Sequence, residues 1–245
     1  MLKKSLAILL LSHLLVGCAT IPADERVPED PLQGLNQTIF KFNAGVDKVV
    51  LKPAAKTYQA IMPDIAETGV SNFFSNINDV PTALNNLLQG KFKAAGTDSL
   101  RFLLNTTAGI GGLIDVASDA GLPKHNEDLG QTLGVWGVPS GPYLMLPFLG
   151  PSTLRDGVGS TADFFLDPIY YVDESSVTDR LRIPELLDTR SGLFEVEELI
   201  DSGLYDNYER MREVYLTTRA RDIVDGEEQE DAGDDLRREL EDLDE

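Results

Sequence analysis

The sequence predicts an all-α fold with irregular loops. Hydrophobic residues recur at steps of three and four in several segments, most clearly over residues 32–49, as expected for helices with one apolar face. The pair Asp30-Pro31 stands directly before this segment, and an acidic cap followed by proline is a common beginning of a helix. Polar and apolar residues alternate over no more than a few positions anywhere in the chain, so no strand is predicted.

The helical pattern is interrupted at several points. Pro53 is expected to end the first helix. Asn72, Asn76 and Asn78 are expected to end a later helix before another begins at Asp79, because asparagine side chains compete for backbone hydrogen bonds. The predicted helices cover residues 32–49, 54–62, 65–74, 79–89, 91–105, 181–187, 192–201 and 204–221.

In the helix over residues 91–105, the expected inward face consists of Phe92, Ala95, Phe102 and Leu103. The glycine-rich loop that follows has no Lys-Ser/Thr pair, which excludes a nucleotide-binding P-loop and favours close packing between helices.

Residues 129–154 form a central segment without a charged side chain. It is long enough to cross a bilayer, but its prolines and glycines prevent a regular helix. Broken backbone at membrane depth requires protein or a water-filled cavity around it. The segment is therefore expected to form a buried or pore-lining wall at an apolar site, or else core-packed loops of a soluble domain.

Arg155-Asp156 is the first charged pair after this segment. The pair is expected to mark the place where the wall meets water. A surface ion pair that contributes little to stability is an equally good interpretation.

Residues 1–17 have the features of a secretory signal peptide, with Lys3 and Lys4 before a short apolar run. The run ends in Leu15-Val16-Gly17-Cys18, which resembles the bacterial lipobox, so Cys18 is the predicted lipidation site. An ordinary signal peptide with an incidental cysteine is the alternative. Ala19 at the next position resembles enterobacterial signals for the outer membrane. Residues 18–29 are then a lipidated tether to a folded domain over residues 30–221.

The chain has a net charge of −20, which repels nucleic acid and anionic lipid surfaces. Residues 222–245 form an acidic tail that is expected to be disordered and solvated. One cysteine and two histidines exclude an internal disulfide and nearly exclude a Cys/His metal site, so no metal or cofactor is predicted.

Enzyme function finds little support in the sequence. His125, the one histidine outside the signal peptide, lies in a polar loop and is expected to be solvated. A Ser-His-Asp hydrolase would have to use it, and the chain has no Gly-x-Ser-x-Gly motif. The prediction is a protein without catalytic activity, with an anchored periplasmic hydrolase as the alternative.

Seven ordered motifs resemble those of the MlaA (VacJ) lipoproteins. They are Asp30-Pro31-Leu32-x-Gly34-x-Asn36, Asn72-Phe73-x-x-Asn76, Leu88-Gln89-Gly90, Arg101-Phe102-x-x-Asn105-Thr106, Gly111-Gly112-x-x-Asp115-x-Ala117, Gly130-Gln131-Thr132-Leu133-Gly134 and Gly141-Pro142-Tyr143-x-x-Leu146-Pro147, the last followed by Gly150-Pro151-Ser152 and Arg155-Asp156. The resemblance extends from about Asp30 to Arg221.

The resemblance implies a ring of amphipathic helices in the inner leaflet of the outer membrane, around an amphipathic channel. It implies removal of mislocalised phospholipids from the outer leaflet, their transfer to a periplasmic lipid-carrier protein, and a trimeric porin as neighbour. No reaction is catalysed in that interpretation. A structural lipoprotein that only binds a porin is the second alternative.

Under this resemblance the central segment supplies the channel or lipid-binding surface. Bulky side chains are expected to form the wall or the membrane-facing surface, and the glycines to permit its bends. The predicted residues are Gly134, Trp136, Gly137, Gly141, Pro142, Tyr143, Met145, Leu146, Pro147, Phe148, Leu149, Gly150, Arg155 and Asp156. The helices over residues 32–49 and 65–74 are expected either to lie flat in the membrane interface or to pack in an ordinary core.

Overall fold

The computed structural model describes residues 30–172, 175–199 and 207–224. Over these ranges the regular secondary structure is helical apart from one β-hairpin, which confirms the predicted all-α class. The elements are α1 (Gln33–Val46), a π-helical turn (Asp47–Leu51), α2 (Lys52–Ile61), α3 (Asp64–Leu88), α4 (Phe92–Thr107), α5 (Val116–Asp119), α6 (Leu129–Val135), β1 (Tyr143–Leu146), β2 (Gly150–Thr153), α7 (Leu154–Asp163), a 3₁₀ helix (Pro168–Tyr171), α8 (Ser175–Leu199) and α9 (Tyr208–Ile223). Among these helices, none combines the length and the apolar character that crossing a bilayer demands.

The predicted signal peptide, Cys18, the tether and nearly all of the acidic tail lie outside the described residues.

Pro53 does not end the helical path as the sequence analysis expected. The π-helical turn joins α1 directly to α2, and Pro53 occupies the first turn of α2. Proline lacks the N–H that would continue the helical hydrogen bonds, and this interruption directly follows the wider π-helical turn. The first two helices consequently form one continuous helical path from Gln33 to Ile61.

Helix α3 is one helix of 25 residues, so the predicted break at its asparagines is wrong. Two of the asparagine side chains bond to other parts of the molecule and leave the α3 backbone intact. Asn72 Nδ2 donates to the carbonyl oxygen of Leu113 at 3.2 Å, and Asn76 Nδ2 donates to Thr106 Oγ1 of α4 at 2.9 Å. The buried Pro81 also lies within the helix. Gly90, with φ +81°, makes the turn into α4, as predicted for the end of this helix.

The glycine-rich loop after α4 confirms the predicted close packing. A Cβ atom on Gly109 would lie 2.1 Å from the carbonyl oxygen of Ile114. One on Gly112, where φ is +94°, would lie 2.7 Å from Asn76 Nδ2 of α3. Glycine at these positions is what lets the loop lie against α3 and α4.

The central segment folds as a short helix followed by a hairpin. Helix α6 begins with a capping box between Asp128 and Gln131. The two strands are antiparallel, with Tyr143 opposite Thr153 and Leu146 opposite Gly150. These strands were not predicted, because each has only four residues, too few for an alternating pattern to be recognised.

Near the C-terminus, α8 is a single helix where two short ones were expected, and Pro184 lies inside it. Residues 200–206 lie outside the described ranges. Helix α9 confirms the last predicted helix and is capped by Asn207, whose side chain accepts from the N–H of Arg210.

The interior of this fold is polar and much of its exterior is apolar. Among the described residues, nineteen polar or charged side chains are buried, against eight hydrophobic ones. Thirty large hydrophobic side chains are exposed, which we call the apolar surface. The predicted inward face of α4 is confirmed in part: Ala95 is buried and Phe102 is half-buried. Phe92 and Leu103, however, are 71% and 57% exposed, while Asp98 and Arg101 are buried. Helical periodicity identifies an apolar face, but two of its bulky side chains are turned outward here.

Candidate functional site

The hairpin is attached to α1 by an asparagine side chain that imitates a strand. Asn36 Nδ2 donates to the carbonyl oxygen of Tyr143 at 3.0 Å, and Asn36 Oδ1 accepts from the N–H of Met145 at 2.9 Å. The amide therefore satisfies both backbone groups of an edge strand that would otherwise be unpaired and buried.

Asn43 repeats this arrangement further along the hairpin. Its Nδ2 donates to the carbonyl oxygen of Leu146 at 2.9 Å, and its Oδ1 accepts from the N–H of Phe148 at 2.9 Å. Seven helical residues rise about 10.5 Å, and three strand residues advance about 10 Å. The spacing of Asn36 and Asn43 in the sequence therefore matches that of the backbone groups they contact.

A small apolar cluster lies between the hairpin, α1 and α9. Ile39, Tyr143, Met145 and Tyr208 are its buried members. Its polar edge is the carboxylate of Asp30, which accepts hydrogen bonds from Tyr208 and from Asn36. Asp30 is therefore not the helix cap that the sequence predicted, because α1 starts without a side-chain cap.

Arg155 and Asp156 are buried, so both sequence interpretations of this pair, at the edge of water or on the surface, are wrong. Arg155 Nε and a terminal nitrogen donate to Asp156 Oδ1 at 3.0 and 2.9 Å. Arg219 of α9 donates to the same oxygen at 3.1 Å. Tyr215 and Thr153 both donate to Asp156 Oδ2 at 2.8 Å. Burial alone would raise the pKa of Asp156, but the hydrogen bonds from Thr153, Arg219 and Tyr215 and the charge of Arg219 hold it below its ordinary value.

A second buried charge cluster joins α3 and α4. Asp79 of α3 is fully buried, accepts from the ammonium group of Lys124, and lies 3.9 Å from Arg101 Nε. Burial raises the pKa of Asp79 despite both cations.

Arg101 also binds Asp115, fourteen residues further along the chain. One of its terminal nitrogens lies 3.1 and 2.9 Å from the two carboxylate oxygens. Asn105 donates to Asp115 at 2.9 Å, and Ser118 donates through both its backbone and its hydroxyl. Burial would raise the pKa of Asp115, but the hydrogen bonds from Ser118, Asn105 and Arg101 lower it.

A third polar group ties α3 to α6 and α7. Thr132 donates to Asn85 Oδ1 at 2.8 Å, and Asn85 Nδ2 donates to Asp163 at 3.1 Å. Asp163 also accepts from the N–H of Leu129 at 2.8 Å. Burial raises the pKa of Asp163 above its ordinary value.

His125 is not the solvated loop histidine that the sequence predicted. Its Nδ1 lies 2.8 Å from Oδ1 of the buried Asp98, and 31% of its side chain is exposed. Asn86 Nδ2 donates to the other oxygen of Asp98 at 2.8 Å. These three residues come from separate segments, so no pattern in the sequence indicates that they meet.

Beside this group lies an open cleft of about 950 Å³. Four Lys or Arg and three Asp or Glu line it, although the whole chain is strongly acidic. Its charged and titratable residues are Lys91, Lys93, His125, Glu127, Asp128, Arg219, Arg221 and Asp222. None of the fourteen site residues predicted from the sequence belongs to its lining.

The predicted site residues of the central segment divide into two groups. Tyr143 and Met145 are buried under the hairpin, with Leu146 and Pro142 half-buried. Trp136, Phe148 and Leu149 are 56%, 69% and 78% exposed and belong to the apolar surface. Pro147 is exposed beside them.

The glycines of the segment mostly permit bends, as predicted. Gly137, Gly141 and Gly150 have φ values of +85°, +68° and +86°. Gly134 instead lies against Ile223 of α9, which a Cβ atom would approach to 2.9 Å. A role of these residues in binding lipid remains a prediction.

In the part of the chain that the structure describes, no group of three or more His, Cys, Asp or Glu side chains could hold a metal ion.

The model of the MlaA lipoprotein family matches residues 28–222. The chain belongs to this family. The intermembrane phospholipid transport system lipoprotein MlaA of Escherichia coli is 36% identical over 214 residues, which are 86% of this chain and 84% of the relative. The lipoprotein of the same name from Haemophilus influenzae is 31% identical over 248 residues, or 97% of this chain and 98% of the relative.

A solved structure from work on the "Structural basis for maintenance of bacterial outer membrane lipid asymmetry" has the same fold. It superposes with a TM-score of 0.68 at 35% identity, covering 79% of this chain and 98% of the solved one.

The motifs that resemble those of MlaA lipoproteins meet in the polar interior. Arg101, Asn105 and Asp115 come from two motifs and form one cluster. Asn76 comes from a third motif and lies against Gly112, which belongs to the same motif as Asp115, between α3 and the loop after α4. Much of the family signature therefore specifies a polar core.

Proposed function

We propose that this MlaA-family chain is an outer-membrane lipoprotein of intermembrane phospholipid transport. It removes phospholipids that have strayed into the outer leaflet and passes them to a periplasmic carrier. The observation that supports this function most strongly is the reversed distribution of polar and apolar side chains.

The apolar surface is suited to lipid. A soluble monomer rarely exposes a contiguous apolar patch above a few hundred Å². Here exposed hydrophobic residues occur from α1 to α9, including Val49 in the π-helical turn, Ile65 at the start of α3 and Leu149 at the tip of the hairpin. Helices with such faces lie in the plane of one leaflet and bury the faces among acyl chains. This favours the interfacial alternative for the helices over residues 32–49 and 65–74.

The polar interior is suited to headgroups. A phospholipid that changes leaflet must keep its charged end hydrated while its chains stay in an apolar environment. A ring of helices with apolar outer faces and a lining of charged and amide side chains provides both environments. The family relationship supports this arrangement, since the relatives from E. coli and H. influenzae carry phospholipid transport in their names.

Three further parts of the proposal concern the surroundings of the chain. Cys18 carries the lipid anchor, a trimeric porin is the neighbour in the membrane, and the carrier docks from the periplasm. Crosslinking the chain in cells to porin and to periplasmic proteins, with a Cys18→Ser variant for the anchor, tests these parts.

The central experiment measures phospholipid at the cell surface after deletion of the gene, together with mass spectrometry of lipids that copurify with the protein. We expect bound phospholipid and a rise in surface phospholipid that the wild-type gene reverses. An unchanged outer leaflet and no bound lipid would instead support a structural lipoprotein.

The His125–Asp98 pair is the observation that favours the hydrolase alternative, since a histidine oriented by a carboxylate is part of many hydrolytic sites. Incubation of the purified protein with phosphatidylethanolamine separates the two functions. We expect no released fatty acid. Release that disappears in a His125→Ala variant would establish hydrolysis.

A further inference from the structure

The cleft beside α4 contains both positive and negative side chains, so its charges suit a zwitterionic ligand better than a simple anion. Most of its ionic groups are already paired with one another. Lys91 Nζ lies 3.0 Å from Glu127, which also accepts from Gln89 at 2.8 Å. Arg219 makes two hydrogen bonds of 2.5 Å to Asp128. These pairs form the walls of the cleft and leave few groups for a ligand.

Lys93 is the cation of this cleft for which the described part of the chain supplies no ion-pair partner. It lies in the first turn of α4, a helix of sixteen residues whose beginning has no side-chain cap. The backbone N–H groups of Lys93 and Ala94 have no acceptor among the described residues, whereas that of Ala95 bonds to Lys91. Free N–H groups, the positive end of a helix and an ammonium group together favour a phosphate.

Asn86 supplies an independent indication of a ligand. Its side chain is 1% exposed and lines the cleft, and its Oδ1 has no hydrogen-bond partner in the described structure. Its Nδ2 is committed to Asp98 at 2.8 Å, so the free atom is an acceptor that requires a donor.

Asp222 is the remaining acid at this cleft. Among the described residues it pairs with Arg221, with a nitrogen–oxygen distance of 3.5 Å between two exposed side chains. Such a pair is weak and exchangeable. Asn86 Oδ1 and the Asp222 carboxylate are thus both able to accept hydrogen bonds from an ammonium group, while Lys93 binds the phosphate.

We propose that this cleft binds the headgroup of a zwitterionic aminophospholipid, with its phosphate at Lys93 and the start of α4 and its ammonium toward Asn86 Oδ1 and Asp222. A volume of about 950 Å³ is sufficient, because small-molecule sites range from about 300 to 1,000 Å³. The inference rests on the proposed transport function and specifies the lipid class that the cleft prefers.

The test uses the full lipidated protein in detergent and isothermal titration calorimetry. The probes are short-chain phosphatidylethanolamine, short-chain phosphatidylglycerol and inorganic phosphate. We expect the ethanolamine lipid to bind about tenfold more tightly than the glycerol lipid. One charge-assisted hydrogen bond produces an affinity difference of about this size. Lys93→Glu is expected to weaken both lipids by about tenfold or more. The matched control is Lys56→Glu, an exposed lysine of α2 outside the cleft, which is expected to bind like the wild type.

A second variant tests the ammonium position. Asp222→Asn is expected to bring the affinities for the two lipids close together, because it removes the carboxylate and leaves Lys93 in place. Circular dichroism confirms that each variant is folded. The proposal is wrong if Lys93→Glu binds both lipids as tightly as Lys56→Glu does. Inorganic phosphate that binds as tightly as the ethanolamine lipid would indicate a free-phosphate site instead.

The two proposals can fail separately. A deletion that raises surface phospholipid, combined with unchanged lipid binding by Lys93→Glu, would overturn the headgroup site and leave the transport function standing. A deletion without effect on the outer leaflet would overturn the transport function itself.

Discussion

At the scale of single residues, side-chain amides do much of the work that hydrophobic contacts do in an ordinary soluble domain. Asn36 and Asn43 hold the hairpin by pairing with its backbone. Asn76, Asn85 and Asn105 join helices through other side chains. In this interior, removing one partner of an amide hydrogen bond lowers the free energy of unfolding more than losing an apolar contact does, because the remaining polar group stays buried.

The two asparagines of α1 offer a matched comparison. Asn36→Ala leaves the backbone groups of Tyr143 and Met145 without partners in a buried site, and we expect a loss of about 2–3 kcal/mol in the free energy of unfolding. Asn43→Ala is expected to cost about 1 kcal/mol or less, because the N–H of Phe148 is reached by solvent. Denaturant unfolding of both variants in detergent measures the difference. Equal losses would show that the buried hydrogen bonds of Asn36 stabilise the fold no more than the exposed ones of Asn43.

Asp115 makes the stability depend on pH. Its pKa is lowered in the folded protein, so its contribution is complete above the ordinary value of 3.8 and is lost as the pH falls through the lower folded value. Asp115→Asn is therefore expected to unfold at a lower temperature than the wild type at pH 7. The two melting temperatures should begin to converge as the pH falls below 3.8 and should meet only below the lowered pKa of the folded protein. Asp119→Asn, on the exposed side of the same short helix, serves as the control. A constant difference at every pH would contradict the argument.

At the scale of elements, the sequence predicted where most helices lie but not which way they face. Heptad-like spacing locates the apolar face of α4, yet the same spacing results whether that face meets a core or a membrane. The break predicted in α3 has a related cause. The hydrogen-bond partners of Asn72 and Asn76 are distant in sequence and cannot be inferred from spacing. The hairpin strands are too short to show a period.

The candidate site shows the same limit. The charge-free central segment did identify exposed apolar residues at Phe148 and Leu149 and a buried group at Tyr143 and Met145. The cleft beside α4 could not be predicted, because its residues come from α3, α4, the loop before α6, and α9. Arg155 and Asp156 were placed near water because a charged pair after an apolar run usually marks an edge.

The hairpin carries the sharpest test of the apolar surface. Leu149 is 78% exposed, so Leu149→Glu should leave the fold intact in detergent. In a membrane the added charge is expected to cost up to about 3 kcal/mol if this position faces acyl chains. We expect more phospholipid at the cell surface in this variant than with Gln59→Glu, which adds the same charge at an exposed polar position of α2. Equal surface phospholipid in the two variants would show that the hairpin tip does not contact lipid.

At the scale of the whole molecule, the polar interior and the apolar surface belong to one arrangement. The charge clusters around Asp79, Asp115 and Asp156 each join at least two helices or loops that are distant in sequence. Specific directional bonds therefore determine how the helices pack, and under the proposed function lipid would cover the apolar surface.

This arrangement has a thermodynamic consequence. Unfolding of an ordinary domain raises the heat capacity by about 12–15 cal/mol/K per residue, because apolar groups enter water while polar groups contribute with opposite sign. In this protein the groups that emerge from the interior are largely Asp, Asn, Arg and Thr. We expect scanning calorimetry of the detergent-bound protein to give a heat-capacity increment well below that range. A flat dependence of stability on temperature follows, so cooling would weaken this fold far less than it weakens a protein held together by the hydrophobic effect.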